Sequence, residues 1–149
     1  MQRKTGCACG KVSATVEGDP FRVLVCHCDY CQKRTGSVFQ VSCWYAREQV
    51  LEISGETKTF SDSANSVGVA YNFCPNCGTT LYWTLEEAEK FFPGISRFIG
   101  FAVGCFADKN FPKPNYVEQV QYRHHWVPEF SGIPEFDSFP PADVMMPSN

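Results

Sequence analysis

Short stretches of alternating apolar and polar residues, separated by Gly, Asp, Asn and Ser, run through most of the chain. A period of two residues marks a strand that buries one face. K-V-S-A-T-V at 11–16 shows it cleanly, with Val12, Ala14 and Val16 on one side. S-V-F-Q-V-S-C-W-Y at 37–45 repeats it and gathers Phe39, Val41, Cys43 and Tyr45. F-R-V-L-V at 21–25 reads as another strand, running straight into a cluster of cysteines. Further strands are predicted at 56–60, 67–73, 79–84, 95–103 and 116–127, with turn residues between them. A helical pattern is confined to L-E-E-A-E-K-F-F at 85–92. There Thr84 and Glu87 have capping-box spacing, and Pro93-Gly94 ends the turn. The pattern predicts an all-β fold: twisted sheets of short antiparallel strands, with one short helix near 85–92.

The chain of 149 residues suits one domain. Its 44% hydrophobic content is enough for a core, because a chain of this size buries roughly 70% of its unfolded surface. The domain is expected over 1–128, with a Pro-rich segment over 129–149 packed on it or extending from it. The net charge of -3, with Lys and Arg scattered, excludes the electrostatic footprint of a nucleic-acid or acidic-membrane binder. No apolar run approaches the roughly 20 residues of a membrane span. M-Q-R-K-T-G-C-A-C-G at the start has no apolar segment of a signal peptide behind it. A cytoplasmic, reducing location is therefore expected, where clustered cysteines bind metal more often than they pair.

Seven of the nine cysteines are clustered: Cys7 and Cys9, then Cys26, Cys28 and Cys31, then Cys74 and Cys77. F-C-P-N-C-G at 73–78 is a zinc-knuckle sequence, whose two-residue spacing lets a tight turn aim both sulfurs at one ion. One pair cannot close a tetrahedral site. Its partners are Cys7 and Cys9 or two members of the middle group, and spacing alone leaves both open. Four sulfurs make one closed site and three remain; three thiolates within six residues leave a coordination position free, as in catalytic zinc.

These motifs resemble those of the GFA family, the glutathione-dependent formaldehyde-activating enzyme-like proteins that include the CENP-V-like branch. The resemblance rests on G-C-A-C-G-K-V at 6–12, C-H-C-D-Y-C-Q-K-R-T-G-S at 26–37 and F-C-P-N-C-G-T at 73–79. G-C-F-A-D at 104–108, followed by Trp126, matches more loosely. The resemblance implies two zinc ions per chain. Cys7, Cys9, Cys74 and Cys77 would hold a structural one, and Cys26, Cys28 and Cys31 a second, exchangeable one. It also implies a complex, mainly β fold and a carbon–sulfur lyase activity. The substrate would be a glutathione-like thiol or its aldehyde adduct, of the S-hydroxymethylglutathione type, with the middle trio as the catalytic centre. The same fold resembles small Rab-exchange chaperones, which gives the alternative of a non-catalytic, zinc-stabilised protein-binding module.

Other residues carry weaker readings. Lys33 and Arg34 follow Cys31 directly and are candidates to hold a substrate carboxylate, with Arg47, Arg97 and Arg123 behind them. His27 should point away from an ion that its two neighbours bind. His124 and His125, on a predicted strand, should face opposite sides. Cys43 and Cys105 read as small buried hydrophobes, Cys43 having the further possibility of a fourth ligand to the trio. Trp44, Tyr45, Trp83 and Trp126 are core residues or walls of a ligand cleft.

Overall fold

The structure is a computed structural model that describes residues 1–61 and 67–146. Among the described residues, ten strands form two sheets. The smaller sheet has the order β1–β2–β5, made of β1 (Gln2–Gly6), β2 (Ser13–Glu17) and β5 (Val50–Ser54). The larger has the remaining seven. Three of them are β3 (Arg22–Cys26), β4 (Gln40–Ala46) and β6 (Lys58–Ser61). β7 (Ala70–Phe73), β8 (Thr80–Thr84), β9 (Phe98–Ala102) and β10 (Tyr116–Glu118) complete it. Its order is β10–β3–β4–β9–β8–β7–β6, antiparallel throughout except where β10 runs parallel to β3.

The fold is mainly β, as the alternation predicts. Ala14 and Val16 of β2 face Val23, Cys43, Tyr45, Ile99 and Phe101 of the larger sheet, so this core lies between the sheets. The other face of the larger sheet carries Leu24, Cys26, Trp44, Tyr71, Trp83 and Tyr116. β3 is buried along its whole length, which explains why its sequence is nearly continuously apolar. A third, smaller core of Cys7, Val12, Cys74 and Leu81 lies where the β1–β2 turn meets the β7–β8 turn.

Several elements differ from expectation. β1 carries Arg3 and Thr5 at its inward positions, so no apolar alternation announces it. Arg3 is accommodated by an ion pair to Asp19 at 3.0 Å and a bond to the Gly18 carbonyl at 2.7 Å. β5 turns Leu51 and Ile53 toward solvent. The helix expected at 85–92 is one 3-10 turn, Glu87–Lys90. An α-helix that the pattern did not signal, α1 (Asp29–Thr35), sits inside the middle cysteine motif. Of the strand expected at 116–127 only Tyr116–Glu118 forms. Gln119 takes a positive φ of 58°, the ladder stops, and a 3-10 turn follows at Val120–Tyr122. His124 and His125 therefore do not alternate across a sheet.

The Pro-rich segment runs beside β10, where the Val117 N–H donates to Pro134 O and the Phe136 N–H to Val117 O, both at 2.9 Å. It ends in one helical turn, α2 (Ala142–Met145), whose Met145 carbonyl accepts from the Arg22 guanidinium. Residues 147–149 of that segment lie outside the described residues. No helix among the described residues is long and apolar enough to cross a membrane.

Gly100 on β9 faces the Trp83 indole so closely that an added Cβ would lie 2.0 Å from its Nε1. Both residues belong to the centre of the larger sheet, where neither backbone can retreat. Gly100→Ala is therefore expected to lower the unfolding free energy by about 2 kcal/mol through overpacking, as read by urea denaturation. An unchanged midpoint would show that the indole can move aside.

Candidate metal centres and the cavity between them

Two turns build the first centre. After β1 the Cys7 N–H donates to Val12 O at 2.9 Å and the Gly10 N–H to Cys7 O at 3.0 Å. After β7 the Cys74 N–H donates to Thr79 O at 2.9 Å and the Gly78 N–H to Cys74 O at 2.8 Å. Gly10 and Gly78 have φ of 77° and 75°, a left-handed conformation that favours glycine. Each turn thus curls around its sulfurs, and the two meet head-on. The sulfurs of Cys7, Cys9, Cys74 and Cys77 all lie within 4.8 Å of one another.

Zinc–sulfur bonds of about 2.3 Å at tetrahedral angles place sulfurs about 3.8 Å apart. Cys7 to Cys9 is 3.6 Å and Cys9 to Cys74 is 3.7 Å, close to that edge and far from the roughly 2.05 Å of a disulfide. The donor set and its spacing therefore fit a tetrahedral metal ion. The Val12 N–H donates to Cys7 Sγ at 3.2 Å. Donation from the Thr79 hydroxyl and backbone holds the Cys77 thiol down to about 5, so the cluster is prepared for anionic sulfur.

The second centre is built on a strand end and a helix start. Cys26 ends β3, Cys28 is the N-cap of α1 and Cys31 lies in its first turn. Cys28 Sγ accepts from the Cys31 N–H at 3.3 Å, the role an oxygen plays at an ordinary N-cap. The three sulfurs lie within 4.8 Å of one another. Hydrogen bonds from the Cys26 and Cys31 thiols, with backbone donors of Cys31 and Tyr30, hold the Cys28 thiol down to about 3. Donation to Cys28 pushes the Cys26 thiol up. Cys31 is pushed up to about 12: its bond with Cys26 lowers it, and its bond with Cys28 and burial outweigh that. Cys26 is buried while Cys28 and Cys31 are half-buried, so the trio is reachable from one side.

A cavity of about 320 Å³ opens at the end of α1 opposite to Cys28, and no sulfur of the trio lines it. It is lined by Arg34 and Thr35 from α1, Gln40 and Val41 from β4, and Thr79 and Thr80 from the second cysteine turn, among others. Gln40 connects this lining to the trio's strand, because it pairs with Cys26 across β4 and β3. Arg34 sits over Tyr71, 4.3 Å from the ring centroid, and bonds to Gln40 Oε1. Lys33 points to solvent and pairs with Asp29 at 3.4 Å, away from the cavity. Arg47 is engaged with Glu86 and Ser96 O, Arg123 with Glu135, and Arg97 stacks on Phe98.

His27 is fully buried and turned away from the trio, edge-on to Phe39. Burial pushes its pKa down. Cys43 is also fully buried, but on the opposite face of the sheet, its Sγ 3.7 Å from Phe101 O. It does not face the trio and cannot serve as its fourth ligand. Trp44 and Trp83 pack edge-to-face at 6.0 Å in the core, Tyr45 is buried between the sheets, and Trp126 is exposed. The aromatic residue that lines the cavity is Phe39.

The chain matches the family described as glutathione-dependent formaldehyde-activating enzyme, GFA, over residues 2–125. It belongs to the GFA family. The fold agrees with a crystal structure of a protein from Rhodobacter sphaeroides, with a TM-score of 0.53 and 17% identity over 72% of this chain and 90% of that one. Among curated proteins, no significant relative was found. GFA membership and the two cysteine groups together indicate a protein able to bind zinc. The segment beyond residue 125, including Trp126, lies outside the family match.

Two residues of the site escaped the sequence reading. Gln32 donates to His27 O at 2.7 Å and to Tyr122 O at 3.2 Å, and its Oε1 is 2.9 Å from His124 Nε2. It fastens the cysteine loop to the chain after β10. Glu118 of β10 pairs in register with Cys26. Burial pushes its carboxyl up to about 7, against the opposing effects of a Cys26 hydrogen bond and the Arg22 charge. A polar residue following Tyr116-Val117 gave no signal, because the β10–β3 pairing that brings it to the trio is non-local.

Metal bound by a site that joins two sheets contributes directly to folding, by about 10 kcal/mol or more in small zinc modules. Cys74→Ala is expected to leave little soluble, folded protein and to bind less than one equivalent of zinc. Cys28→Ser should stay folded and lose one of two equivalents, as measured by metal analysis after gel filtration. Soluble, wild-type-like Cys74→Ala protein would contradict the structural role of the first centre.

Proposed function

We propose that this GFA-family protein is a zinc-dependent carbon–sulfur lyase-type enzyme acting on thiol–aldehyde adducts of the S-hydroxymethylglutathione kind. The observation that carries the reading is the gathering of three thiols about the start of the helix whose other end sets an arginine on the wall of a cavity. Cys7, Cys9, Cys74 and Cys77 would hold a structural zinc; Cys26, Cys28 and Cys31 would hold the second. All nine cysteines are free thiols, which agrees with a reducing, cytoplasmic setting.

Bound zinc supplies positive charge that favours the thiolate form of a thiol at the trio's open side. The chain's own residues do the rest. Cys26, Cys28 and Cys31 present one sulfur face, with Cys26 fixed by β3 and the other two by α1. Arg34, held planar by Tyr71 and Gln40, offers its remaining donors to a carboxylate on the thiol's peptide body. The thiol sulfur attacks the aldehyde carbon, the carbonyl electron pair moves to oxygen, and that oxygen takes up the proton the thiol released. The reverse sequence breaks the carbon–sulfur bond.

Magnitudes apportion the work. A free thiol of pKa near 8.5 is a few per cent ionised at pH 7, so full ionisation gains roughly thirtyfold, about 2 kcal/mol. Some of that is lost as nucleophilicity falls with basicity. Holding the aldehyde beside the sulfur must supply the larger share. The second reading, a protein-binding module, draws on Leu51 and Ile53 of edge strand β5 and Phe60 of edge strand β6, which are exposed.

The test is a glutathione titration of the cobalt-substituted protein, followed by its sulfur-to-metal absorption. A saturable change that is absent in Cys28→Ser is expected. Arg34→Met should raise the half-saturating glutathione concentration about tenfold while leaving that of 2-mercaptoethanol unmoved, as for loss of a charged anchor. An unchanged spectrum with both centres loaded would defeat the enzyme reading and favour the binding module.

A further inference from the structure

The trio supplies three ligands, and one more position must be filled by something when no thiol is present. Cys43 is excluded by its place on the other face of the sheet. His27 is excluded because its ring is buried among Phe39 and Phe130, away from the sulfurs. The remaining candidate comes from β10. That strand lies parallel to β3 with Glu118 in register with Cys26, so the two side chains leave the sheet on the same face. The ladder continues one residue further, with the His27 N–H donating to Glu118 O at 3.2 Å. The cysteine loop is thereby stitched to the strand that carries the carboxylate.

Glu118 is only 8% exposed. Among the described residues its carboxylate makes no ion pair, although Arg22 is near enough to act on its charge. Its hydrogen-bonding neighbour is instead the Cys26 thiol, which stands in register with it across the ladder. Buried carboxylates in proteins are paired with cations or coordinate metals, because burial of an unanswered charge is costly. A metal ion held by the trio is the cation that this carboxylate lacks. The three sulfurs form a 4.8 Å group without it, so the carboxylate stands at the edge of the centre, beside Cys26.

We infer that Glu118 is the resident fourth ligand of the Cys26–Cys28–Cys31 centre and holds the position that an incoming thiol takes. This rests on the trio binding metal, as proposed above. A carboxylate suits the task chemically. It is a harder donor than thiolate and yields to sulfur at a zinc-type ion, whereas a fourth cysteine would close the centre for good. Arg22 lies behind Glu118, its guanidinium stacked 4.8 Å from the Trp44 ring centroid, and offsets part of the negative charge of such a centre.

The experiment uses the full chain loaded with cobalt, in wild type, Glu118→Gln and Glu118→Cys. Glu118→Gln is nearly isosteric, so the fold is kept and the four-sulfur centre serves as an internal reference. The trio's affinity for cobalt should fall at least tenfold in Glu118→Gln and its visible bands should shift, with the reference absorption unmoved. Glu118→Cys should instead tighten the centre, raise its sulfur-to-cobalt absorption and abolish the response to glutathione. Saturating glutathione should erase the spectral difference between wild type and Glu118→Gln, since the thiol then occupies the position in both. Two tightly held cobalt ions with identical spectra in wild type and Glu118→Gln would overturn the Glu118 assignment alone. A wild-type chain that takes up only one equivalent would overturn it together with the metal reading of the trio.

Discussion

The meeting of the Cys7–Cys9 turn with the Cys74–Cys77 turn is the constraint on which the rest of the molecule depends. Each turn ends a hairpin of a different sheet, and Cys9 and Cys74, in contact at 3.7 Å, are 65 positions apart in the chain. Closing a loop of that length costs entropy that grows only slowly with size, so a tight cross-link recovers much of it. The core between the sheets sets small side chains of β2 and β3, Ala14, Val16 and Val23, against the rings of Tyr45 and Phe101. Four sulfurs at one end fix the angle at which those faces meet. Ala8 and Lys11 reinforce the same contact, donating to Thr79 Oγ1 and Asn76 Oδ1 at 3.2 Å.

The two cysteine groups differ because their scaffolds differ. In the first, two similar turns each supply two sulfurs, and the four together complete a tetrahedral set even though Cys9 and Cys77 are exposed. In the second, all three sulfurs come from six consecutive residues, so they can cover only one side. The α1 backbone begins at Cys28 and carries the chain away toward Gly36, whose φ of 71° ends the helix. Closed and open centres thus follow from topology before any ligand chemistry is considered.

This division also explains what the sequence made legible. Cysteine spacing and period-two alternation are local, and they revealed most of the strands, the three cysteine motifs and the mainly β class. What stayed hidden depends on contacts across the sheets. β1 hides because Arg3 and Thr5 fill inward positions. α1 hides because none of its residues is fully buried and a cysteine replaces the usual oxygen cap. The pairing of β10 with β3, which sets Glu118 beside Cys26, joins residues more than ninety positions apart and leaves no mark on either segment. Alternation continues past Glu118, yet the chain turns at Gln119, because it must double back for Gln32 to reach Tyr122 O and His124.

The cavity joins the two centres into one device. Thr79 donates through its hydroxyl and backbone to Cys77, and the same residue, with Gly78 and Thr80, forms part of the cavity wall. The opposite wall is Arg34 and Thr35, continuous through α1 with Cys28 and Cys31. The cavity is therefore bounded on one side by the closed centre's turn and on the other by the open centre's helix. A closed centre that merely stabilised the fold could sit anywhere in the core. Placed here, its turn supplies Gly78, Thr79 and Thr80 to the cavity wall, so the geometry of the four-sulfur group and the shape of the cavity are coupled.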